Sequence, residues 1–175
     1  TNPPVHAYGP AGVPISAQDG TTVRLEPSGT ITCLSGVTEQ GQGTETVLAQ
    51  ITAETVGVAF EAVRVVTGDT DAMPYGGGTY GSRGVGIGGE ATRRAALALN
   101  QEIRALAGAL MQCEAAALEI ADGVIRDRAS GTERMSLADL GRIAFFRSFE
   151  LPEGIYPELT QTRRFMVRNN MFTNG

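Results

Sequence analysis

The 175-residue sequence has no lysine and no tryptophan, so all fourteen of its basic residues are arginines. The absence of lysine excludes Schiff-base chemistry and the lysine of a P-loop phosphate site. One histidine, His6, and two cysteines, Cys33 and Cys113, are too few for a metal site of these side chains or for a disulfide framework. No apolar run approaches the ~18 residues of a membrane-spanning helix. A net charge of -5 argues against nucleic acid as a partner.

The patterning divides the chain into three parts. Residues 1–20 hold four of the eight prolines and no periodicity, which indicates an arm or linker. Residues 21–148 carry the patterns of a folded piece, and residues 149–175 are an irregular tail in which Phe165-Met166-Val167 favours a strand. Because the sequence starts at Thr1 without an initiator methionine and stops after this strand-like run, we expect it to be a piece of a longer protein.

The hydrophobic pattern of the middle part predicts an α+β fold, with mixed or antiparallel strands packed against a long amphipathic helix. The predicted elements are a hairpin over residues 22–33 that turns at Pro27-Ser28-Gly29, a helix capped by Thr44 and ended by Gly57, a strand at residues 63–66, the long helix over residues 89–118, two strands around Asp122-Gly123, and a helix capped by Ser136 that runs to Phe146. Alternation, cap residues and turn residues support these elements.

Two glycine-rich loops, residues 36–43 and 75–89, each stand immediately before a predicted helix. Glycine lets the backbone approach a ligand closely, and a helix amino terminus presents unpaired N–H groups with a partial positive charge. Together these features are typical of an anion site, most often for phosphate. The loops also carry polar side chains suited to such a ligand: Gln40, Gln42, Thr79, Ser82 and Arg83. Two such loops in one small domain point to a ligand with a pyrophosphate and several ring hydrogen bonds. We therefore expect the segments around Gln42 and Ser82 to fold side by side.

Simpler interpretations stay open beside this one, since glycine-rich loops are often only turns. Residues 84–89 also match G-x-G-x-x-G, but no hydrophobic strand precedes them, which disfavours a Rossmann site. His6 fits an incidental exposed side chain, the two cysteines fit core packing, and the turn residues Asp69 and Asp71 fit solvent better than a cation. Arg93 and Arg94 oppose the dipole of the long helix and favour exposed surface, with a ligand phosphate or a partner chain as the alternative.

Two longer motifs contain these loops. The first is Gly36-Val37-Thr38-Glu39-Gln40-Gly41-Gln42-Gly43-Thr44-Glu45-Thr46, followed by Ala49-Gln50-Ile51 and Ala53-Glu54. The second is Gly68-Asp69-Thr70-Asp71, followed by Pro74-Tyr75-Gly76 and Gly78-Thr79-Tyr80-Gly81-Ser82-Arg83. Both resemble the molybdopterin-binding large subunit of the xanthine dehydrogenase/aldehyde oxidase family. The motif sequences are most similar to those of the carbon monoxide dehydrogenase-like bacterial subunits. The likeness is dense from about residue 22 to residue 123.

The resemblance implies a molybdenum hydroxylase, an oxidoreductase that oxidises its substrate with oxygen from water and passes electrons through two 2Fe–2S clusters to FAD. It implies molybdenum on molybdopterin, as the cytosine dinucleotide in bacteria, and partners that comprise the rest of the large subunit, an iron–sulfur small subunit, an FAD subunit and a small-molecule substrate in an oligomeric assembly. A cytoplasmic location is implied, with the periplasm as the alternative. By motif position, the cofactor contacts fall on Gln40, Gly41, Gln42, Gly43, Thr79, Gly81, Ser82, Arg83 and Gly84.

The sequence also departs from the family. Relatives with similar loops act on aldehydes, N-heterocycles, purines or carbon monoxide. Their catalytic glutamate, in a Gly-x-Gly-Glu-type segment, has no counterpart here, and Gly88-Gly89-Glu90 belongs to the second loop, so Glu90 is not expected to be catalytic. No cysteine spacing fits an iron–sulfur cluster. We expect no catalytic residue or metal ligand in this chain, which alone should neither turn over substrate nor retain the cofactor tightly. The alternatives are a non-catalytic cofactor-binding or scaffold module and, less favoured, an NAD- or FAD-binding domain.

Overall fold

The computed structural model describes residues 18–166 and, before them, the backbone of two short paired strands. The helices and strands in chain order are β1 (Ala7–Tyr8), β2 (Val13–Pro14), β3 (Gln18–Leu25), β4 (Ile31–Ser35), α1 (Thr44–Val56), β5 (Val63–Thr67), α2 (Glu90–Met111), β6 (Leu118–Ala121), β7 (Val124–Asp127), β8 (Glu133–Ser136), α3 (Leu137–Phe146) and β9 (Thr160–Met166). Short 3₁₀ turns lie at Phe60–Ala62, Ala115–Ala117 and Ser148–Glu150, and a π-helical turn lies at Gly84–Gly89.

The main sheet has the strand order β5-β4-β3-β9. β3 and β4 form the predicted antiparallel hairpin, in which Val23 is opposite Cys33 and Leu25 is opposite Ile31. All four side chains are fully buried, because the period-two alternation of a strand sends them to one face of the sheet. β9 pairs antiparallel with β3, whereas β5 runs parallel to β4. The predicted α+β class with mixed strands is therefore confirmed.

β4, α1 and β5 form a crossover unit in which residues 36–43 connect the end of β4 to the start of α1. The helix ends at Gly57, as predicted, with a left-handed φ of 92°. The predicted cap at Thr44 is wrong by one residue, since Gly43 holds the cap position with a φ of 77°. This left-handed backbone suits glycine. The Thr44 side chain is instead buried and accepts a hydrogen bond from Gln42 Nε2 at 2.8 Å.

The long helix begins within one residue of its predicted start but ends earlier than predicted. The last four glycines of the second glycine-rich run lie in the π-helical turn that leads into α2, so this part of the run is helical. Because a loop and not a strand precedes this turn, it is not a dinucleotide-binding fingerprint. α2 ends at Met111 with Gln112 left-handed, and the Cys113 N–H donates to the Gly108 carbonyl at 2.9 Å. The apolar spacing continues past this end because Cys113 still packs against the core.

The second sheet has the order β6-β7-β8, and α3 follows it directly. The predicted turn at Asp122-Gly123 joins β6 to β7, and both turn residues are left-handed, with φ of 52° and 75°. The predicted cap is also confirmed, since Ser136 Oγ accepts the Asp139 N–H at 3.0 Å. The predicted core positions of α2, Leu99, Ile103 and Leu106, are buried.

The two ends of the described chain meet in the main sheet. β3 begins at Gln18, so the last residues of the predicted arm belong to a strand. β9 begins at Thr160, earlier than the strand predicted at residues 165–167, and Val167 and His6 lie outside the described residues. The division of the chain into residues 1–20, 21–148 and 149–175 stays a prediction.

The π-helical turn packs closely enough on the loop before α1 to be tested by adding one methyl group. A Cβ at Gly88 would lie 2.7 Å and 2.9 Å from the two methyl carbons of the buried Val37. We expect Gly88→Ala to lower the free energy of unfolding by about 1–3 kcal/mol, measured by urea denaturation.

Gly84→Ala is the matched control for this substitution. A Cβ at Gly84 would meet only Thr44 Oγ1, at 3.7 Å, which is ordinary contact. We expect this variant to be neutral or slightly more stable, because alanine reduces the freedom of the unfolded chain. If Gly88→Ala were as stable as Gly84→Ala, the side chain of Val37 would be able to move and accommodate the added methyl group.

Candidate cofactor-binding site

The first loop (residues 36–43) lies beside residues 76–84 of the second glycine-rich run, as the paired glycine-rich motifs predict, and from here on the name second loop means residues 76–84 only. Thr79 Oγ1 donates to the Thr38 carbonyl at 2.7 Å and accepts from the Thr38 N–H at 2.8 Å. Gln40 Nε2 donates to the Thr79 carbonyl at 3.1 Å, and the Gly78 N–H donates to the Gly36 carbonyl at 3.3 Å. A single threonine hydroxyl therefore holds both backbone groups of one residue in the other loop.

Beneath the two loops, a buried ion pair joins them to β3. Asp19 is fully buried and Arg83 is 3% exposed, and Arg83 Nη2 lies 3.1 Å from Asp19 Oδ2. Arg83 also donates from Nη1 to the Gly78 carbonyl at 3.1 Å and from Nη2 to the Gln18 carbonyl at 2.6 Å. Its guanidinium carbon lies 5.0 Å from the centre of the Tyr80 ring. Burial raises the pKa of Asp19, and the positive charge of Arg83 opposes this rise.

Three glycines allow this close approach of chain segments. A Cβ at Gly36 would collide with Asp19 Oδ1 and the Cα of Gly76, and a Cβ at Gly76 would collide with the Cα of Gly36. A Cβ at Gly77 would collide with Arg83 Nη1. These glycines are needed for the space that they leave, because any side chain would push the two loops apart.

The amino terminus of α1 already holds an anion, the carboxylate of Glu39. Glu39 Oε1 accepts the N–H groups of Gln40, Gly41 and Gly43 at 3.1, 2.7 and 3.1 Å. Glu39 Oε2 accepts the N–H of Glu45 at 3.0 Å. These backbone hydrogen bonds, with that of Glu45 the largest cause, lower the pKa of Glu39. The anion at this helix terminus thus belongs to the chain itself, and the binding of a ligand phosphate there stays a prediction.

The side chain of Gln42 forms further hydrogen bonds within the first loop. Its Oε1 accepts the Gln40 N–H at 2.6 Å, and its Nε2 donates to the Thr38 carbonyl at 3.3 Å. In the second loop, Gly81 and Ser82 are both left-handed, with φ of 56° and 60°. A serine in this conformation is strained, and such residues concentrate at functional sites.

The nine residues predicted to contact a cofactor all lie in these two loops, but they differ in exposure. The exposed ones are Gln40, Gly41, Gln42, Gly81 and Ser82. The partly buried ones are Gly43, Thr79 and Gly84, and the buried one is Arg83. The guanidinium of Arg83 faces Asp19, so binding of a phosphate by Arg83 would require these internal bonds to break. Contact of the nine residues with a cofactor stays a prediction.

A cleft of about 570 Å³ opens beside the paired loops. Its lining is Gly36, Thr38, Gly68, Thr70, Met73, Pro74, Tyr75, Gly76 and Gly78. Four of these nine residues are glycines, which leave backbone groups accessible to a ligand. The two loops contribute residues to this lining, but the nine predicted contact residues lie outside it.

Glu90, which the sequence argues is not catalytic, is held as a carboxylate by two arginines. Arg93 donates to it from Nε at 2.8 Å and from Nη2 at 3.1 Å, and Arg94 Nε donates at 2.8 Å. The hydrogen bond from Arg93 is the largest cause of a pKa lowered to about 2. A carboxylate with so low a pKa is a weak base. Arg94 also stacks on Phe165, with 4.5 Å between the guanidinium carbon and the ring centre.

The remaining candidate residues are the two cysteines and the turn residues Asp69 and Asp71, and their surroundings fit a structural role. Cys33 is fully buried, and burial raises the pKa of its thiol to about 11, while Cys113 is partly buried. Asp69 Oδ1 accepts the N–H groups of Asp71 and Ala72 at 3.0 and 3.2 Å, which makes a turn.

Within residues 18–166, no three histidine, cysteine or acidic side chains are grouped to hold a metal ion. No helix in this described part has the length and apolar character needed to cross a membrane.

Sequence reasoning missed two residues that shape the site. Asp19 stands in the segment assigned to the arm, and its partner Arg83 is distant in the chain, so no local pattern reveals it. Glu39 lies within the first motif, which does not by itself reveal its role. Its spacing before Gly41 and Gly43, at the start of a helix, is a local signal for a carboxylate that caps its own loop.

Comparisons with known proteins agree along nearly the whole chain. A family model described as molybdopterin cofactor-binding domain matches residues 5–174. The nicotine 6-hydroxylase large subunit of Paenarthrobacter nicotinovorans is 34% identical over 157 residues, which cover 90% of this chain and 19% of that protein. The carbon monoxide dehydrogenase large chain of Hydrogenophaga pseudoflava is 30% identical over 157 residues, with coverage of 90% and 19%. The crystal structure of quinoline 2-oxidoreductase from Pseudomonas putida 86 matches with a TM-score of 0.79 and 33% identity, over 89% of this chain and 20% of that one.

The fold is therefore that of a cofactor-binding domain. The chain belongs to the molybdopterin cofactor-binding domain family, which is found in molybdenum-dependent oxidoreductases. It spans about a fifth of the length of the relatives that it matches.

The buried ion pair should matter far more to stability than an exposed one. Arg83→Met leaves the Asp19 carboxylate buried without its partner, so we expect the free energy of unfolding to fall by about 3–5 kcal/mol. Arg142→Met is the control, because its ion pair with Asp139, at 3.1 Å, has both side chains more than half exposed. We expect this control to change stability by less than about 1 kcal/mol. Urea denaturation measures both, and similar losses would contradict a structural role for the buried pair.

The low pKa of Glu90 sets the pH range in which its ion pairs stabilise the start of α2. Because the folded-state pKa of about 2 lies below the ordinary 4.5, this stabilisation is complete above the ordinary value and is lost as the pH falls towards 2. We expect an NMR titration of the Glu90 carboxyl carbon to have its midpoint at about 2. Arg93→Gln should raise this midpoint, whereas Arg142→Gln should not. A wild-type midpoint at the ordinary value would be inconsistent with the ion pairs.

Proposed function

We propose that this chain is the part of a molybdenum hydroxylase large subunit that holds molybdopterin at its first and second loops. The observation that carries the proposal is the two-way hydrogen bonding between Thr38 and Thr79. It fixes two polar, glycine-rich segments, 41 residues apart in sequence, at one surface of the protein. Both segments carry the motifs on which the resemblance to the family rests.

The residues present suit a ligand rich in hydrogen-bonding groups. The amides of the first loop converge on the Glu39 carboxylate, which fixes the shape of this loop beside the ligand. Exposed amide and hydroxyl groups of Gln40 and Ser82 stand on the outer side of the loops. The glycine-lined cleft beside them gives access to further backbone donors and acceptors.

The share of this chain in the reaction would be binding and orientation. When bound, the cofactor would supply the molybdenum that oxidises a substrate with oxygen from water. Gln40 and Ser82 would bind its polar groups, Thr79 would keep the two loops in register, and Arg83 with Asp19 would support the second loop from below. General base catalysis would belong to a residue outside this chain, since Glu90 is too weak a base.

The finer parts of the proposal concern the complete protein. We assign the cofactor the cytosine dinucleotide form, the iron–sulfur clusters and FAD to partner subunits or domains, and the enzyme to the cytoplasm. The relatives are named for nicotine, carbon monoxide and quinoline, which are chemically unlike. A segment that each of them shares with this chain at 30–34% identity is better suited to holding a common cofactor than to choosing a substrate.

The shared threonine gives a direct test. Thr79→Val keeps the volume of the side chain but removes the hydroxyl, so the Thr38 N–H and carbonyl lose their partner. At about 1 kcal/mol for each hydrogen bond, we expect the pterin nucleotide bound per subunit to fall at least about fivefold. The measurement is elemental analysis for molybdenum and mass spectrometry of the released nucleotide, on the full-length subunit purified with its partners.

Two further variants serve as controls. Thr79→Ser keeps the hydroxyl and should keep most of the cofactor. Thr132→Val removes an exposed hydroxyl that contacts Ser130, far from the loops in sequence, and should change nothing. Wild-type protein without molybdenum or pterin would favour the scaffold alternative over this proposal. Full cofactor content in Thr79→Val would show that the pairing of the loops is not needed for binding.

A further inference from the structure

The carboxylate of Glu39 occupies the position in which a phosphate would be expected at the start of α1. Four backbone N–H groups of residues 40–45 donate to it, at distances of 2.7 to 3.1 Å. A carboxylate that accepts several backbone hydrogen bonds is strongly held, because charged acceptors form the stronger bonds. The amides of Gly41, Gly43 and Glu45 are therefore already used within the loop.

The rest of the first loop is built around this carboxylate. Gly41 and Gly43 are left-handed, with φ of 90° and 77°, and this backbone bends the chain around Glu39. Gln42 adds a second internal tie through the Gln40 N–H and the Thr38 carbonyl. The loop thus has a defined shape that depends on one negative charge from its own sequence.

We infer that Glu39 is a positioning residue that shapes the first loop from inside, and that the anionic part of the cofactor binds outside the amino terminus of α1. This inference rests on the proposed function for the identity of the ligand. Glu39 acts through the loop and does not touch the cofactor. The contacts left for the ligand are the outward-facing side chains and the backbone of the adjacent cleft.

The first test uses the full-length subunit made without molybdenum cofactor synthesis, followed by hydrogen exchange of the peptide that covers residues 39–46. We expect Glu39→Ala to speed exchange of the amides of Gly41, Gly43 and Glu45 by at least about tenfold, because a bond to a charged acceptor is lost. Glu39→Gln keeps an acceptor oxygen without the charge and should give a smaller increase. Glu54→Gln, which changes an exposed acid in the last turn of α1, should give none. Unchanged exchange in Glu39→Ala would overturn the inference.

Inorganic phosphate provides a readout that a merely structural role would not move. In Glu39→Ala, added phosphate should slow exchange of the same peptide, because the vacated amides regain an anion. In the wild type, phosphate should have no effect on this peptide. Protection of the wild-type peptide by phosphate would mean that an external anion displaces Glu39, and the inference would fail.

Cofactor content then links the loop to binding. In protein made with the cofactor, we expect Glu39→Ala to lose pterin nucleotide several-fold and Glu39→Gln to lose less. If the helix terminus were the phosphate site, with Glu39 only occupying it beforehand, Glu39→Ala would keep or gain nucleotide, and the inference would be wrong. If no variant, including the wild type, contains pterin, the proposed function fails, while the exchange experiments still decide the role of Glu39.

Discussion

The ion pair of Asp19 and Arg83 lies at the point where β3 and the two loops cross, and the arrangement of the loops depends on it. A charge removed from water is costly unless it is paired and hydrogen-bonded, so each member constrains the position of the other. Arg83 turns this constraint into geometry, since its two terminal nitrogens also bind carbonyls of β3 and of the second loop. The glycines at positions 36, 76 and 77 are the steric counterpart, because they leave the guanidinium and the carboxylate the space to meet.

The charged side chains of the two loops, Glu39 and Arg83, bind partners inside the protein. Glu39 faces the amides of its own loop, and Arg83 faces Asp19, so the outer surface of the loops presents mainly amide, hydroxyl and backbone groups. Neutral groups recognise a ligand by the direction of their hydrogen bonds more than by long-range attraction. A surface of neutral groups suits a rigid ring system, whose donors and acceptors have fixed positions. Binding to such a surface is little affected by salt, because salt screens interactions between charges.

Local patterns predicted the elements that local forces determine. The alternation of Val23 and Leu25, the turn at Asp122-Gly123 and the cap at Ser136 each depend on a few neighbouring residues, and all three are observed. The end of α2 was predicted too late, because Cys113 keeps an apolar contact after the chain has left the helix. In the site, the motifs identified both loops and their adjacency, whereas the burial of Arg83 depends on Asp19, which only the folded chain brings near.

Within the described residues, β9 is an edge strand of the main sheet, and it carries Arg163 and Arg164. An edge strand is a template on which other chains can add strands wherever its free side stays uncovered, and this is a common start of aggregation. Both arginines are exposed on this strand. Their like charges would repel a second copy that approached edge to edge, and so would protect the sheet from uncontrolled growth.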